Sequence, residues 1–303
     1  MANQIFTSVA FHGLKKTLED IETDDHGEEG SKAVFKRWMD VRKMEDNYLD
    51  FYEIAGTGLA GEKLEGGSFP LGGIIEGPLT RFRSRTYGQK IVATQEALED
   101  FKYDKIVMAG KRNNRSIWKL VDFDATLILD RATNSAYVGG DGQPLWSENH
   151  TMPSGDTYSN MLAEAMSPSK AALVIAVAQL MQQRGHDGLI DGTEMKKVVA
   201  PAQQWAIWKE LFGSDKDPTP GSYNAINVLK EFEPEVVINK YWTSTETKWM
   251  LTTDVDNGLI WFWRVKPESS TWVDNDKTAM NYAIRARWGR GWVNPRAVLG
   301  VDA

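Results

Sequence analysis

The sequence contains no cysteine. This absence excludes structural disulfides, a thiol nucleophile and any zinc or iron–sulfur site that needs cysteine ligands. Basic residues are also outnumbered, because 35 lysines and arginines stand against 42 aspartates and glutamates, and the formal net charge is −7. A protein whose main task is to grip nucleic acid is therefore not expected, although a local basic patch is compatible with this balance.

Long apolar runs are lacking as well. The most apolar stretch, residues 171–181, contains Gln179 and is far shorter than the roughly 20 residues of a membrane-spanning helix. It is expected to form a buried helix. Residues 1–14 have no basic start and no long apolar stretch, so no signal peptide is predicted. The chain is expected in a cytoplasm, or in something assembled there, with no membrane partner.

The composition that remains is typical of a folded protein. The chain has 303 residues, of which 42% are hydrophobic and 25% are charged. This length fits two domains or one large domain, and it is sufficient to bury a substantial core. Global disorder is therefore not expected.

The first part of the chain is charged and irregular. Residues 23–30 (TDDHGEEG) are acidic and punctuated by glycine, which predicts a loop or a mobile arm. Apolar residues then recur at helical spacing from Ser31 to Tyr48, and this spacing predicts an amphipathic helix.

A glycine-rich segment follows. Residues 56–77 carry eight glycines, so few of their side chains could fill a core. Residues 81–87 then alternate as a strand, with three arginines on one face and Phe82 heading an opposite face that is not properly apolar either. A strand with two polar faces packs poorly on its own domain. Two interpretations stay open, namely a solvated surface hairpin and an arm whose partner is another chain.

The lengths of the later elements predict an elongated molecule. Helical periodicity runs from residue 103 to about 131, which corresponds to a helix of about 40 Å. Residues 259–265 form a strongly apolar strand, and residues 277–288 alternate over about twice the usual strand length. Pairing of this helix with these strands would make a discontinuous domain, into which a mixed α/β region of about 138–255 is inserted. The elements predicted in that region are helices over 167–184 and 201–212 and strands over 195–200, 235–242 and 248–253.

No catalytic residue, metal site or cofactor is predicted. Residues 56–61 match G-x-G-x-x-G, but a dinucleotide site needs a helix to open at its end, and here more glycines follow. A ligand-binding α/β enzyme is kept as an alternative that a helix after Gly61 would favour. The four histidines lack a second ligand at suitable spacing. Residues 254–258 fit an Asn-Gly turn between strands better than a calcium loop.

Twelve tryptophans are an unusual feature of the composition. Large aromatic side chains fill cores and interfaces, and this is the favoured interpretation. A sugar- or nucleic-acid-binding module would instead require several of the rings to be exposed together.

The order of these parts resembles the major capsid proteins of tailed bacteriophages, which have the Hong Kong 97-type fold, and in particular the head subunits of Mu-like prophages. Two stretches carry the resemblance. Residues 66–106 (GGSFPLGGIIEGPLTRFRSRTYGQKIVATQEALEDFKYDKI) lead from the loop into the long helix, and residues 249–303 begin WMLTTDVDNGLIWFWRVKP and include Arg-Trp-Gly-Arg-Gly-Trp. The resemblance implies an α+β fold and a structural protein that is not an enzyme.

The resemblance also implies a division of the chain and a function. Pentamers and hexamers of the protein would form an icosahedral shell around packaged double-stranded DNA, in a virion head assembled in the host bacterial cytoplasm. An encapsulin-like nanocompartment shell of the same fold is the alternative. The implied parts are an N-terminal arm and helix (1–53), an extended loop (54–92), a peripheral domain (93–137 and 256–303) and an axial domain (138–255).

The partners implied are further copies of the chain, a portal and a scaffolding protein. Some relatives carry an N-terminal scaffolding segment of about a hundred residues that a protease removes; only about 50 residues precede the loop here, so a separate scaffolding protein and prior trimming both stay open. A decoration protein stays open, and the enclosed DNA is expected to be contacted weakly.

Some relatives crosslink a loop lysine to an asparagine; Lys63 and Asn294 are the nearest candidates by region, although no local motif matches. Arginines can pair bidentately with carboxylates across a subunit contact. The candidate inter-subunit contacts are Lys63, Glu65, Arg81, Arg83, Arg85, Arg285, Arg287 and Arg290.

Overall fold

A computed structural model gives the fold of the chain. The residues that it describes are 16–17, 30, 32–55, 59–63, 65–71, 73, 75–100, 103–152, 155–164, 166–185, 188–216, 226–243, 247–274 and 276–302. The acidic segment predicted as a loop over 23–30 lies outside these residues except for Gly30.

Strands and helices alternate irregularly along the chain. The helices are α1 (Gln95–Glu99), α2 (Tyr103–Asp130), α3 (Lys170–Met181) and α4 (Trp205–Gly213), with short 3-10 helices at Val34–Arg37, Ala202–Gln204, Val228–Phe232 and Pro295–Ala297. The strands are β1 (Asp40–Lys43), β2 (Tyr48–Ala55), β3 (Ile75–Arg83), β4 (Arg85–Thr94), β5 (His150–Thr151), β6 (Thr157–Tyr158), β7 (Met195–Pro201), β8 (Glu235–Asn239), β9 (Trp249–Thr253), β10 (Leu259–Asp274), β11 (Ala279–Trp292) and β12 (Val298–Val301).

The main sheet has the order β1-β10-β11-β4. Its two central strands are long, with 16 residues in β10 and 14 in β11, and they pair antiparallel. The first five residues of β10 are all buried, and beyond them the strand is half-buried or exposed. The prediction of long strands near the C-terminus is therefore confirmed, and both strands extend further than the alternation in the sequence indicated.

The long helix is α2, which has 28 residues and is therefore about 42 Å long at 1.5 Å per residue. It packs on β11 and β4 of the main sheet. The face that it buries repeats at steps of three and four residues, which is the spacing of one helix face. The long helix predicted from residue 103 to about 131 is therefore confirmed. The buried residues on this face include Ile117, Val121, Ala125 and Ile128.

The second sheet has the order β12-β9-β7-β8 and packs against α3 and α4. Ser169 caps α3 by accepting a hydrogen bond from the backbone N–H of Ala172 at 3.2 Å. One face of α3 is buried, whereas Val174 and Ile175 on the opposite face are each 46% exposed. No helix among the described residues is long and apolar enough to cross a membrane.

The helix predicted from Ser31 to Tyr48 is wrong. Its residues form the 3-10 helix at Val34–Arg37, strand β1 and the first residue of β2. The apolar spacing came from Phe35, Trp38, Met39 and Met44, which are all buried. Strand β1 pairs in parallel with β10, and this tertiary pairing overrides the local helical period.

The turn predicted at Asn257–Gly258 between two strands is confirmed. Asn257 has a φ of 57°, a conformation that asparagine tolerates better than most residues. The turn joins β9 of the second sheet to β10 of the main sheet. It therefore carries the chain between the two sheets rather than closing a hairpin.

Gly300 in β12 offers a test of the packing between the second sheet and its surroundings. A Cβ atom at this position would overlap the indole ring of Trp146, which is fully buried. We expect Gly300→Ala to lower the free energy of unfolding by about 1–3 kcal/mol, as overpacking does.

Chemical denaturation measures this change. Gly213→Ala is the matched control, because a Cβ atom there meets nothing within 4 Å, and it should shift stability by less than about 1 kcal/mol. Equal effects of the two substitutions would contradict the close packing at Gly300.

Candidate functional site

The most distinctive surface feature is a two-stranded arm, here called the loop arm, which consists of β2, β3 and the residues 56–74 that join them. The ladder runs from the pair Tyr48–Arg83 at its base to the pair Ala55–Ile75. Large apolar side chains on it face solvent, and those of Leu59, Phe69 and Leu71 in the connecting residues, here called the tip, are 82%, 79% and 101% exposed. Such a surface is typical of a segment that another molecule covers.

The base of the loop arm is anchored by aromatic packing. The ring of Phe82 lies 4.8 Å from that of Phe262 in β10 and 5.8 Å from that of Phe51 in β2. Phe82 is buried in a cluster that includes Met44. The sequence had placed Phe82 on a face that was not properly apolar, and this expectation is wrong at the base of the loop arm.

The strand predicted over 81–87 is broken at Ser84, where β3 ends and β4 begins. Strand β3 belongs to the loop arm, whereas β4 joins the edge of the main sheet beside β11. Arg81, Arg83 and Arg85 therefore lie at the junction between the loop arm and the sheet, and each remains largely exposed.

Arg81 already has a partner in its own chain. Its Nε and Nη2 atoms each donate to a carboxylate oxygen of Asp50 in β2 at 2.7 Å, and its guanidinium lies 4.5 Å from the ring of Tyr48. The hydrogen bond from Arg81 lowers the pKa of Asp50. This pair ties β2 to β3 across the ladder.

A cavity of about 280 Å³ opens beside this junction. We call it the arginine cavity, because most of its charged residues are arginines. Arg81, Arg83 and Arg85 form one side of it. The other lining residues are Tyr87, Asp124, Arg131, Tyr137, Trp288, Gly289 and Arg290.

Asp124 forms the floor of the arginine cavity and is held by three hydrogen bonds. Arg290 donates from Nη2 to Oδ1 at 2.6 Å and from Nε to Oδ2 at 2.8 Å, and the indole N–H of Trp288 donates to Oδ2 at 2.8 Å. Burial by itself raises the pKa of Asp124, but the hydrogen bonds and charge of Arg290 outweigh it and hold this pKa below its usual value. Asp124 therefore stays ionised beneath the arginines.

The other predicted arginines of β11 are engaged within the chain. Arg285 donates to Glu268, its cross-strand neighbour in β10, with the shorter contact at 2.5 Å. Arg287 donates to Ser84 at 3.3 Å. Neither lines the arginine cavity, so the structure does not bring all the predicted arginines to one place.

The predicted tip residues lie far along the chain from these arginines. Lys63 and Glu65 are exposed, and the ammonium group of Lys63 lies 4.5 Å from the ring of Phe69. Asn294, the other crosslink candidate, is buried and accepts a hydrogen bond from the backbone N–H of Arg296 at 2.9 Å. A crosslink between Lys63 and Asn294 stays a prediction.

The alternative functions receive little support from the described residues. Strand β2 precedes the G-x-G-x-x-G match, but no helix opens after Gly61 in residues 59–63 and 65–71. Trp205 and Trp272 are the exposed tryptophans, and they stand on α4 and β10, whereas most of the others are buried. Residues in the described ranges form no group of three or more histidines and acids that could hold a metal ion.

Sequence reasoning missed Asp124 and Arg131 as neighbours of the arginines. Asp124 and Arg290 are 166 positions apart, and no local pattern links them. The available signal was the position of Asp124 on the apolar face of the predicted helix. A carboxylate that is buried there requires a partner, and a basic residue was therefore to be expected beside it.

Comparison with known proteins gives a consistent result. The model of a family described as phage capsid protein matches residues 79–301, which is nearly three quarters of the chain. No protein with a curated description matches in sequence.

Solved structures with the same fold include shell proteins of several sources. A virus-like particle from Pyrococcus furiosus has a TM-score of 0.54 and 13% identity, covering 96% of this chain and 99% of that one. Microbacterium phage Oxtober96 gives a TM-score of 0.55 and 9% identity over 89% and 90% of the two chains. The procapsid of bacteriophage JBD30 gives a TM-score of 0.52 and 12% identity over 96% and 74%. At these identities, the likeness shows the fold.

The ionised floor of the arginine cavity leads to a pH-dependent prediction. Asp124→Asn leaves the largely buried guanidinium of Arg290 without its carboxylate, and we expect the free energy of unfolding at pH 7 to fall by roughly 2–3 kcal/mol. Because the pKa of Asp124 is lowered in the folded state, the ion pair contributes fully above the ordinary aspartate pKa of about 3.9 and is lost as the pH falls through the folded value.

The difference between wild type and Asp124→Asn should therefore shrink on acidification, as measured by urea unfolding from pH 7 towards pH 2. Asp276→Asn, at an exposed turn, is the control for the same chemical change. A difference that does not depend on pH would contradict an ionised Asp124.

Proposed function

The chain belongs to the phage capsid protein family, and from this premise we propose that its copies form pentamers and hexamers of an icosahedral head shell around the double-stranded DNA of a tailed phage. It is a major capsid shell protein with the Hong Kong 97-type fold. The symmetry of the shell, the enclosed genome and assembly in the host cytoplasm are parts of the proposal.

The observation that carries the proposal is the exposed loop arm. Its tip presents Leu59, Phe69 and Leu71 to solvent with nearly all of their surface, whereas its base is anchored by Phe82 in the body of the subunit. Burial of such side chains contributes about 25 cal/mol per Å² of apolar surface. The apolar surface of the tip is left exposed by the subunit that carries it. If a neighbouring subunit covers this surface, the contact between the two subunits is stabilised.

Shell closure fits this geometry because the loop arm and the body are different surfaces. A contact between two different patches of identical subunits is heterologous. Such contacts close into a ring when the rotation from one subunit to the next divides a full turn evenly. Each contact can be modest, since every subunit in a shell is held by several contacts at once. The domain division given above and the inter-subunit roles of Lys63, Glu65, Arg285 and Arg287 belong to the same proposal.

The other proposed partners are the enclosed DNA, a portal and a scaffolding protein. The net charge of −7 disfavours a strongly basic inner wall, since each phosphate that a protein neutralises adds salt-dependent affinity. We therefore propose weak contact with the enclosed DNA. A portal and a separate scaffolding protein complete the proposed set of partners.

A nanocompartment shell is the second candidate. A shell of this kind has the same fold, so the fold by itself is compatible with it, but the family match to phage capsid protein favours the head shell. The content of purified particles separates the two candidates, because a head shell encloses DNA and a nanocompartment does not.

Removal of the tip tests the proposal. We expect replacement of residues 56–74 by Asn-Gly, a favoured two-residue hairpin turn, to leave a folded subunit that no longer forms shells. Electron microscopy and light scattering of the sedimented protein would measure this loss, with closed shells or rings of 34.1 kDa subunits expected for the wild type.

The control replaces residues 275–278, which join β10 to β11 in the chain, by Asn-Gly, and so shortens a different connection. Closed shells from the chain without the tip would contradict the role of the loop arm. A wild type that stays monomeric at every concentration, with or without a scaffolding protein, would overturn the proposed function itself.

A further inference from the structure

The arginine cavity holds more positive charge than its own subunit neutralises. Arg81 is paired with Asp50, and Arg290 is paired with Asp124. Among the described residues, no carboxylate lies within 4 Å of the guanidinium groups of the other three arginines. These three arginines are Arg83, Arg85 and Arg131.

The single carboxylate among the lining residues cannot balance the charges of all these arginines. Both oxygens of Asp124 already accept hydrogen bonds from Arg290, and one of them also accepts from Trp288. Like charges gathered in a concave site repel one another, and this repulsion is relieved when an anion enters. Guanidinium groups favour planar oxyanions, which they bind through two parallel hydrogen bonds. The cavity therefore has the charge and the donors to bind an oxyanion, and a carboxylate is one such group.

The tip of the loop arm carries carboxylates without a partner. Glu62 and Glu65 are exposed, and neither forms an ion pair with any described residue. The ammonium group of Lys63 between them is turned onto Phe69. The tip therefore presents two negative charges to whatever it meets.

A tip cannot place these carboxylates in the arginine cavity of its own subunit. Strand β3 runs from Ile75, next to the tip, to Arg83, and its eight residue steps span about 26 Å. Within the tip, Gly61 lies against Pro70. The negative and positive groups of one chain are held apart at opposite ends of the loop arm.

From this separation, we propose that the arginine cavity is the receptor for Glu62 and Glu65 at the tip of a neighbouring copy, with Arg83, Arg85 and Arg131 as the groups that bind them. The inference rests on the proposed function, since it names the partner of the loop arm in the shell. Because the tip and the cavity are different patches, the contact is heterologous and each subunit both gives a tip and receives one.

A charge exchange tests this pairing. Arg83→Glu with Arg85→Glu places acids opposite the acidic tip, and Glu62→Arg with Glu65→Arg places bases opposite the cavity. We expect each double variant to require at least about tenfold more protein for assembly, which corresponds to 1.4 kcal/mol per contact. The chain with all four substitutions restores opposite charges and should assemble within about threefold of the wild type.

Two further variants, together with a folding check, distinguish a loss of the contact from a failure of the subunit to fold. Arg83→Gln with Arg85→Gln removes the charges without introducing repulsion, and it should weaken assembly in the same direction but less. Lys111→Glu with Arg112→Glu makes the same change of charge on the exposed side of α2, outside the cavity, and should assemble as the wild type does. Thermal unfolding of every variant establishes that it is folded.

Light scattering against protein concentration gives the readout. Normal assembly of the folded Arg83→Glu, Arg85→Glu chain would overturn the inference while leaving the proposed function intact. Failure of the fourfold exchange to recover would overturn the pairing with Glu62 and Glu65. Normal shells that lose only their DNA would assign the cavity to phosphate instead, and a wild type that never assembles would overturn both the inference and the proposed function.

Discussion

The stack of Trp261 on Trp288 is the contact on which the rest of the subunit depends. Their rings are 5.5 Å apart and nearly parallel, and they join the two longest strands at the centre of the main sheet. Tyr87 of β4 stacks on Trp288 at 4.2 Å, and Phe35 of the N-terminal segment lies 4.8 Å from Trp261. Each ring buries about 150–250 Å². One aromatic cluster therefore fixes the strands, the edge of the sheet and the N-terminal segment together.

This cluster also determines how the surface of the subunit is built. The indole N–H of Trp288 reaches Asp124, and Asp124 in turn holds Arg290 at the wall of the arginine cavity. The cavity is thus connected to the core by hydrogen bonds, as a receptor must be if its charged groups are to stay in place. At the other end of the loop arm, Leu71 and Phe69 have almost no cover from their own chain. In the proposed contact between copies, the fixed body of one subunit receives the uncovered tip of another.

The sequence predicts those parts of this structure that repeat a buried face locally. Helix α2 and strand β11 could be predicted because one periodicity governs each of them, and the burial of most tryptophans could be predicted because large aromatic side chains fill cores. The N-terminal segment could not, because Phe35 and Trp38 are buried by β10 and α2 rather than by a helix of their own. The pairing of Asp124 with Arg290 could not either, because a contact across 166 positions depends on how the helix crosses the sheet. Of the predicted arginines, the structure gathers Arg81, Arg83, Arg85 and Arg290 into one cavity and leaves Arg285 and Arg287 to partners elsewhere.

The arrangement of charges on the surface of the subunit matters more for association than its net charge. Copies that each carry −7 repel one another at long range, and salt screens this repulsion beyond about 8–10 Å. A concave cluster of arginines acts within that distance, where screening is weakest and guanidinium–carboxylate geometry is most selective. The net acidity therefore opposes indiscriminate association, while the cavity favours one arrangement of the copies. In the proposed shell, several such contacts would hold each subunit at once, so each could stay weak enough to break and re-form while the shell closes.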